Sequence, residues 1–407
     1  MKCGLLGRKL GHSYSPQIHE KMGDYSYRLF EKEPEEVGEF VLHGDYDAMN
    51  VTIPYKKDVI PYLDHIDPIA QRLGSVNTIV RKDGKLYGYN TDYYGFHSMV
   101  LRSGIEVSGR KTLVLGSGGT SVTAQAVLAD LGAQVVVISR SGENNYENLS
   151  RHYDARVIVN TTPVGMYPNT GVAPLEIEHF PDLEGVLDVI YNPARTQLLL
   201  DAENLSLPNE NGLWMLVAQA KLASEYFTGR QLDDGIIASI HGELTMQMEN
   251  IVLIGMPGCG KTTIGQALAK ATEKEFRDAD QETVSDAGKS IPQIFAQDGE
   301  QAFRDWETKA LIRLGKASST VIATGGGCVT QLRNYPFLHQ NSTIVWIKRD
   351  LSLLPTDGRP LSQNGNLEDM YRKREKLYSA FADITIENDS TVEAAVEKIL
   401  AAWKNLL

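Results

Sequence analysis

The chain has only three cysteines in 407 residues, Cys3, Cys259 and Cys328, and they stand far apart. No Cys-x-x-Cys pair occurs, so the sequence offers neither a disulfide framework nor a zinc site. That pattern suits a reducing compartment, and the expected location is the cytoplasm. Long apolar runs are missing too. None approaches the ~18 residues needed to span a bilayer. The Leu5-Leu6 stretch is too short for the core of a signal peptide. There is no basic excess: the formal net charge is −12, most of it in residues 1–247. This argues against nucleic-acid partners, and any anionic ligand must be held by local basic groups. Low-complexity segments and short repeats are absent, and no Pro-, Ser- or Gly-rich linker lies between Gln247 and Asn250. What remains is ordinary globular composition, 42% hydrophobic and 23% charged, in a chain too long for one core.

Strand and helix patterns alternate along the chain. Met1–Gly7 and Ala48–Ile53 read as strands, and Pro16–Met22 and Pro34–His43 as helices. Ser75–Tyr89 reads as a hairpin turning at Asp83-Gly84. Strands follow at Lys111–Leu115, Gln134–Ile138, Val157–Asn160 and Gly185–Ile190, with a helix over Ser121–Leu131. Gly212–Phe227 and Asp233–Gln247 read as helices. The alternation then resumes with strands Asn250–Ile254, Thr320–Ala323 and Thr343–Ile347 and helices Thr262–Ala271 and Thr391–Leu406. Such alternation predicts α/β architecture with parallel sheets covered on both faces.

Residues 255–262 read Gly-Met-Pro-Gly-Cys-Gly-Lys-Thr, a complete G-x-x-x-x-G-K-[ST] phosphate loop between an apolar strand and a helix. Gly255, Gly258, Cys259, Gly260, Lys261, Thr262 and Thr263 are the expected ATP contacts. The glycines free the backbone to wrap phosphates, Lys261 reaches the β/γ-phosphates, and the Thr262 hydroxyl is a magnesium ligand. Switches and motors share such loops, so the loop alone names no reaction. Further along stand Asp278-Ala279-Asp280, then Gly299 through Glu307 with Arg304, then Gly325-Gly326-Gly327. Asp357-Gly358-Arg359-Pro360-Leu361 follows, and after it Arg374 with Tyr378. In this order the set resembles shikimate kinase across nearly all of residues 249–407. The resemblance implies that Asp280 holds and deprotonates the acceptor hydroxyl and that Asp278 helps place Mg²⁺ through water. It implies that Arg304 and Arg374 grip a carboxylate and that Gly325, Gly326 and Gly327 let the backbone approach the ring. Arg359 would reach the transferring phosphate from a lid. One departure is visible: many relatives carry an arginine shortly before the R-P-L motif, and Leu351–Thr356 has none.

In the first half, Gly116-Ser117-Gly118-Gly119-Thr120-Ser121 follows a strand. It misses the third glycine of G-x-G-x-x-G at Ser121, and a plain strand-to-helix turn would also fit it. The next strand ends in Ser139-Arg140-Ser141, which suits a 2′-phosphate and favours NADP over NAD. Around it lie Ser13-Tyr14-Ser15-Pro16, Asn50 through Lys56, Ser75-Val76-Asn77-Thr78 and Asn90-Thr91-Asp92. Asn160 through Met166, Asp188 through Pro193, and Gly212 to Met215 with Gln219 complete the series. This series resembles shikimate dehydrogenase across residues 1–247. The resemblance implies Lys56 and Asp92 as the acid/base pair. Ser13 and Ser15 would bind the substrate carboxylate, with Thr52, Asn77, Gln219 and Tyr191 completing the substrate contacts. Gly116, Gly118 and Gly119 would take the pyrophosphate, and Ser139, Arg140 and Ser141 the 2′-phosphate. Thr161, Met166, Gly212 and Met215 would line the nicotinamide side. His12 and His19 have no acidic or metal-binding partner at useful spacing, so they read as surface or satisfied core histidines.

The expected organisation is a dehydrogenase-like region over 1–247 and a P-loop, nucleoside-monophosphate-kinase-like α/β domain over 248–407. Within the former, a substrate subdomain spans 1–98 and 212–247, and a Rossmann-like NADP subdomain spans 99–211. The two resemblances imply consecutive reactions: 3-dehydroshikimate to shikimate with NADP(H), then shikimate to its 3-phosphate with ATP and Mg²⁺. Small molecules are the expected partners, without nucleic acid or membrane, and oligomeric state is left open. Three rivals remain: quinate oxidation by the first half, one half serving as a non-catalytic module that regulates the other, and a P-loop switch or scaffold.

Overall fold

A strand whose residues are all apolar must be covered on both faces. Ile251–Ile254 and Val157–Val159 are such strands, and every residue in them is buried. The computed structural model describes residues 1–11, 13–354 and 367–406. It divides into two compact units. Met1–Gly165, Ala173–Tyr191 and Asp201–Glu243 form the first; Met166–Val172, Asn192–Leu200 and Leu244–Leu407 form the second.

The first unit holds two sheets. One comprises β1 (Lys2–Gly7), β2 (Ser26–Glu31), β3 (Ala48–Val51), β4 (His65–Ile66), β5 (Thr78–Lys82) and β6 (Lys85–Tyr89), in the order β2-β1-β3-β5-β6-β4. It is mixed: β1, β2 and β3 are parallel, while β5 runs antiparallel to β3 and β6. The expected hairpin turn at Asp83-Gly84 is present, with φ of +50° and +74°. A two-residue hairpin loop of this kind needs left-handed backbone at both positions. The other sheet comprises β7 (Lys111–Leu115), β8 (Gln134–Ile138), β9 (Val157–Asn160), β10 (Gly185–Asp188) and β11 (Asn209–Glu210), ordered β11-β10-β9-β7-β8. All its pairings are parallel.

The second unit is built on β12 (Asn250–Ile254), β13 (Glu275–Asp278), β14 (Thr320–Ala323), β15 (Ser342–Lys348) and β16 (Ile384–Glu387). Their order is β13-β14-β12-β15-β16, again all parallel. Two other segments belong to this unit: Lys316 Nζ donates to Pro168 O at 2.8 Å and Arg195 N to Gln340 O at 2.8 Å.

Every strand expected from pattern is found, five of them with the expected bounds and the rest with ends displaced by one to three residues. The strand at Gly185 stops at Asp188, whose Oδ1 accepts from Ile190 N at 3.0 Å and turns the chain. The segment expected as one helix over Pro34–His43 opens with a 3₁₀ turn, Pro34–Glu36, before the α-helix Val37–His43. Five strands escape the pattern: β2, β4, β11, β13 and β16, each at the edge of its sheet.

In each unit one local device holds the elements that carry reactive groups. In the helix Asp92–Ser103, a Cβ on Gly95 would lie 2.7 Å from Met215 O and 2.9 Å from Gln219 Cβ. Glycine there lets this helix and Leu213–Thr228 press together, bringing Asp92 and Gln219 to one cavity. In the second unit, buried Lys274 secures the tight passage into β12. Its Nζ donates to Met246 O, Gln247 O and Glu249 O at 2.7, 3.1 and 2.8 Å. Glu249 in turn accepts from Trp403 Nε1 at 2.7 Å and Thr343 Oγ1 at 2.8 Å. The ammonium and these side chains do the ordering that a glycine-rich linker would leave undone.

His19 is a core histidine, fully buried and stacked on Tyr27 with ring centroids 4.1 Å apart. Its Nδ1 lies 2.7 Å from Tyr25 Oη. Burial lowers its pKa from 6.5 to about 3. The unfolded chain therefore binds a proton here that the folded chain refuses. The contribution to stability is whole above about pH 6.5 and drains away as pH falls toward 3. His19→Phe is expected to flatten the loss of urea midpoint between about pH 7 and pH 4.5 relative to wild type.

Candidate functional site

A cavity of about 560 Å³ opens in the first unit. Lys56 and Asp92 face each other across it, Nζ to Oδ2 at 2.6 Å, both largely buried. Asp92 begins the helix Asp92–Ser103, where the helix dipole favours a carboxylate. Lys56 lies beyond β3, and Val76 N donates to its carbonyl at 2.8 Å. Ser13, Ser15, Thr52, Asn77, Tyr191, Gly212, Met215 and Gln219 line the same cavity.

Their orientation comes from a buried network. Thr91 N donates to Asn77 Oδ1 at 2.7 Å, and Asn77 Nδ2 donates to Thr91 Oγ1 at 3.1 Å. Thr91 Oγ1 stands 3.2 Å from Gln219 Oε1. Asn50 Nδ2 donates to Thr78 Oγ1 at 3.1 Å and Asn50 Oδ1 accepts from Tyr27 Oη at 2.7 Å. Thr91 and Asn50 were missed as individual residues, although both sit inside the motifs that carried the reading.

The remaining first-half residues gather along the C-terminal edge of β7, β8 and β9 rather than lining that cavity. Gly116 has φ +108°, and a Cβ there would crowd Thr161 Oγ1 at 3.0 Å. Gly118 caps the helix Gly119–Asp130 without any side-chain hydrogen bond, and nothing lies within 4 Å of a Cβ on Gly118 or Gly119. Open N–H groups at a helix start fit a pyrophosphate. Ser121 explains the missing third glycine: it is fully buried and its Oγ donates to Gly116 O at 2.7 Å, closing the loop on itself. Ser139, Arg140 and Ser141 follow β8, with Arg140 exposed. Met166 stands apart: it is 45% exposed, does not line the cavity, and begins a segment of the second unit.

The second unit has its own cavity of about 650 Å³, lined by Gly258, Gly260, Lys261, Thr262 and Thr263. Gly255, Gly258 and Gly260 have φ of +144°, +84° and +105°. A Cβ on Gly255 would stand 2.4 Å from Ile347 O, so no other residue fits. Gly260 caps the helix Lys261–Thr272 with no side-chain hydrogen bond, leaving its N–H groups for an anion. Lys261 is buried and rests on its own loop, donating to Gly255 O at 2.9 Å and Met256 O at 3.0 Å. Thr262 Oγ1 donates to Asp278 Oδ2 at 3.1 Å. Among the described residues no cluster of three or more His, Cys, Asp or Glu could hold a metal. The Thr262 hydroxyl and the Asp278 carboxylate, in contact with each other, are oxygen donors of the kind a hard cation takes. Cys259 is fully buried and does not line the cavity.

Asp278 caps the helix Ala279–Ala287 through Asp280 N at 3.0 Å and so presents Asp280 to the cavity. Arg304, 4% exposed, donates to Glu307 Oε2 at 2.8 Å and Glu300 Oε1 at 3.3 Å. Arg374 Nη1 donates to Gly326 O at 3.1 Å, and Tyr378 Oη donates to the same oxygen. A side chain at any of the three glycines would have to displace a neighbour: a Cβ would stand 2.4 Å from Glu307 Oε1 at Gly325, 2.7 Å from Pro257 at Gly326, and 2.3 Å from the Arg304 guanidinium at Gly327. Glu307 was missed, though it lies three residues after Arg304 in the same motif. Burial holds its carboxyl above the usual range, with Asp280 adding to the rise and Arg304 opposing it. Arg349, one residue past β15, also lines the cavity. Arg359 lies outside the described residues, as does His12. Among the described residues no helix is long and apolar enough to cross a membrane.

Known proteins match both units. A family model for the shikimate dehydrogenase substrate binding domain matches residues 5–79, and one for shikimate kinase matches residues 257–404. A shikimate dehydrogenase (NADP(+)) of Clostridium perfringens is 37% identical over 263 residues, covering 59% of this chain and 97% of that protein. The crystal structure of a chorismate mutase/shikimate 5-dehydrogenase fusion from Clostridium acetobutylicum is 34% identical, with a TM-score of 0.57 over 60% of this chain and 96% of that one. Shikimate dehydrogenase 1 from Peptoclostridium difficile is 37% identical, with a TM-score of 0.55 over 60% and 98%.

One residue is a steric test of the first cavity. A Cβ on Gly212 would stand 1.9 Å from Val189 O, a backbone atom. Gly212→Ala is expected to destabilise the chain by about 1–3 kcal/mol, read from the urea unfolding curve.

Proposed function

The chain belongs to the shikimate dehydrogenase family and carries a shikimate kinase domain in its C-terminal part, and we propose that it catalyses two consecutive steps of the shikimate pathway. The first is NADPH-dependent reduction of 3-dehydroshikimate to shikimate. The second is transfer of the γ-phosphoryl group of Mg·ATP to the shikimate 3-hydroxyl. One observation supports the reading above others: each unit has a cavity holding its own cation and carboxylate, with a glycine-built nucleotide loop in the same unit.

Bound NADPH supplies the hydride, and bound ATP with Mg²⁺ the phosphoryl group. In the first cavity Ser13 and Ser15 bind the substrate carboxylate, and Thr52, Asn77 and Gln219 orient the ring hydroxyls. As the carbonyl carbon gains hydride, negative charge builds on its oxygen. Lys56, held by Asp92 at 2.6 Å, donates to that oxygen and gives up the proton. Arg140, exposed just after β8, pairs with the 2′-phosphate.

In the second cavity Arg304 and Arg374 grip the shikimate carboxylate. Asp280 takes the proton of the 3-hydroxyl as the new O–P bond forms and the bond to the leaving ADP breaks. Lys261 leaves the carbonyls of Gly255 and Met256 for phosphate oxygens. Thr262 and Asp278 would hold Mg²⁺, which would offset charge on the phosphates.

The two activities should separate by mutation. Lys56→Ala is expected to slow reduction by about 10²–10⁴-fold while leaving phosphorylation of added shikimate intact. Lys261→Ala is expected to do the reverse. A coupled assay fed 3-dehydroshikimate, NADPH and Mg·ATP reads both through NADP and shikimate 3-phosphate. Loss of both reactions in each variant would sink the assignment of separate sites. For cofactor choice, Arg140→Ala is expected to raise KM for NADPH about tenfold or more, the loss of one charge-assisted contact, with KM for NADH little changed.

A further inference from the structure

Arg349 is a cavity cation whose Nε lacks an acceptor. It follows β15 by one residue and lines the cavity of the phosphate loop. β15 pairs in parallel with β12, Trp346 opposite Ile254, so both strands deliver the chain to one edge of the sheet. They emerge very close together there, since a Cβ on Gly255 would meet Ile347 O at 2.4 Å. Arg349 thus leaves the sheet beside the first turn of the loop. Its Nε is buried and finds no hydrogen-bond partner, and it forms no ion pair among the described residues.

The neighbouring charges are engaged elsewhere. Lys348 Nζ lies 3.5 Å from Glu387. Asp350 Oδ1 accepts from Ser352 N at 2.8 Å and Ser352 Oγ at 2.7 Å. The other cations of the cavity have partners too: Arg304 has Glu307 and Glu300, Arg374 has Gly326 O, and Lys261 has two carbonyls. Burying part of a guanidinium with an unmet N–H is unfavourable unless a ligand brings the acceptor. Guanidinium geometry matches phosphate oxygens two at a time.

We propose that Arg349 is a nucleotide-binding residue whose guanidinium donates to the polyphosphate of the nucleoside triphosphate held at Gly255–Thr262. The proposal rests on the ATP reading of this cavity. It adds to the loop a second cation, delivered from the adjacent strand.

The test uses the full chain with Arg349→Met and Arg349→Lys, titrated calorimetrically with Mg·ATP and, separately, with inorganic tripolyphosphate. Arg349→Met is expected to weaken both ligands about tenfold or more, and Arg349→Lys to recover part of the loss. The KM for shikimate should stay within about twofold, and the melting temperature without nucleotide should be unchanged or raised, since an unmet donor is gone. Equal binding of Mg·ATP by wild type and Arg349→Met overturns the proposal. So does a loss confined to the KM for shikimate, which would place Arg349 on the acceptor. A loss for Mg·ATP but not for tripolyphosphate would place it on the base and also overturn it. Failure of the wild-type chain to bind Mg·ATP would instead remove the kinase reading beneath it, a result distinct from equal binding by both.

Discussion

A phosphate can reach backbone N–H groups at the end of a parallel strand only where no side chain covers them. Both units are arranged around that constraint. Gly116, Gly118 and Gly119 satisfy it after β7, and Gly255, Gly258 and Gly260 after β12. Each loop runs into a helix whose first turn has no side-chain cap. N–H groups left without a side-chain cap are open to water or to an anion. Parallel pairing then gathers the other strand ends on the same edge, so that Thr161 meets Gly116 and Ile347 meets Gly255.

Around these loops, reactive groups are fixed by partners rather than left to find substrate. Asp92 fixes Lys56, and Glu307 with Glu300 fixes Arg304. Breaking the buried Arg304–Glu307 pair would strand the surviving charge, so a single substitution there is expected to cost more than the pair itself contributes. The glycines at 325, 326 and 327 serve the same end from the other side, since any Cβ would push Glu307, Pro257 or Arg304 out of place.

Much of this was legible in the sequence, for physical reasons that particular residues show. Gly255 through Thr262 is readable because close approach and left-handed backbone admit few alternatives. Interior strands such as Asn250–Ile254 are readable because burial on both faces demands unbroken apolar runs. The five overlooked strands are all edges, where one side meets no further strand: β2 has no fully buried residue, and β4 and β11 have two residues each. The overlooked polar residues support others instead of meeting a ligand. Thr91 ties Asn77 to Gln219, and Ser121 closes the turn that a third glycine would otherwise make. Such work needs a hydroxyl at a point in space, and spacing along the chain gives no sign of it.

The posture of Lys261 has a consequence for what the second cavity admits. Its ammonium already has two carbonyl acceptors within its own loop. A neutral visitor offers nothing better than those carbonyls and leaves the lysine where it is. An oxyanion outcompetes them, because a charged acceptor binds an ammonium roughly twice as strongly as a neutral one. The loop therefore favours visitors that carry negative charge, since only those offer its lysine a stronger acceptor than its own carbonyls.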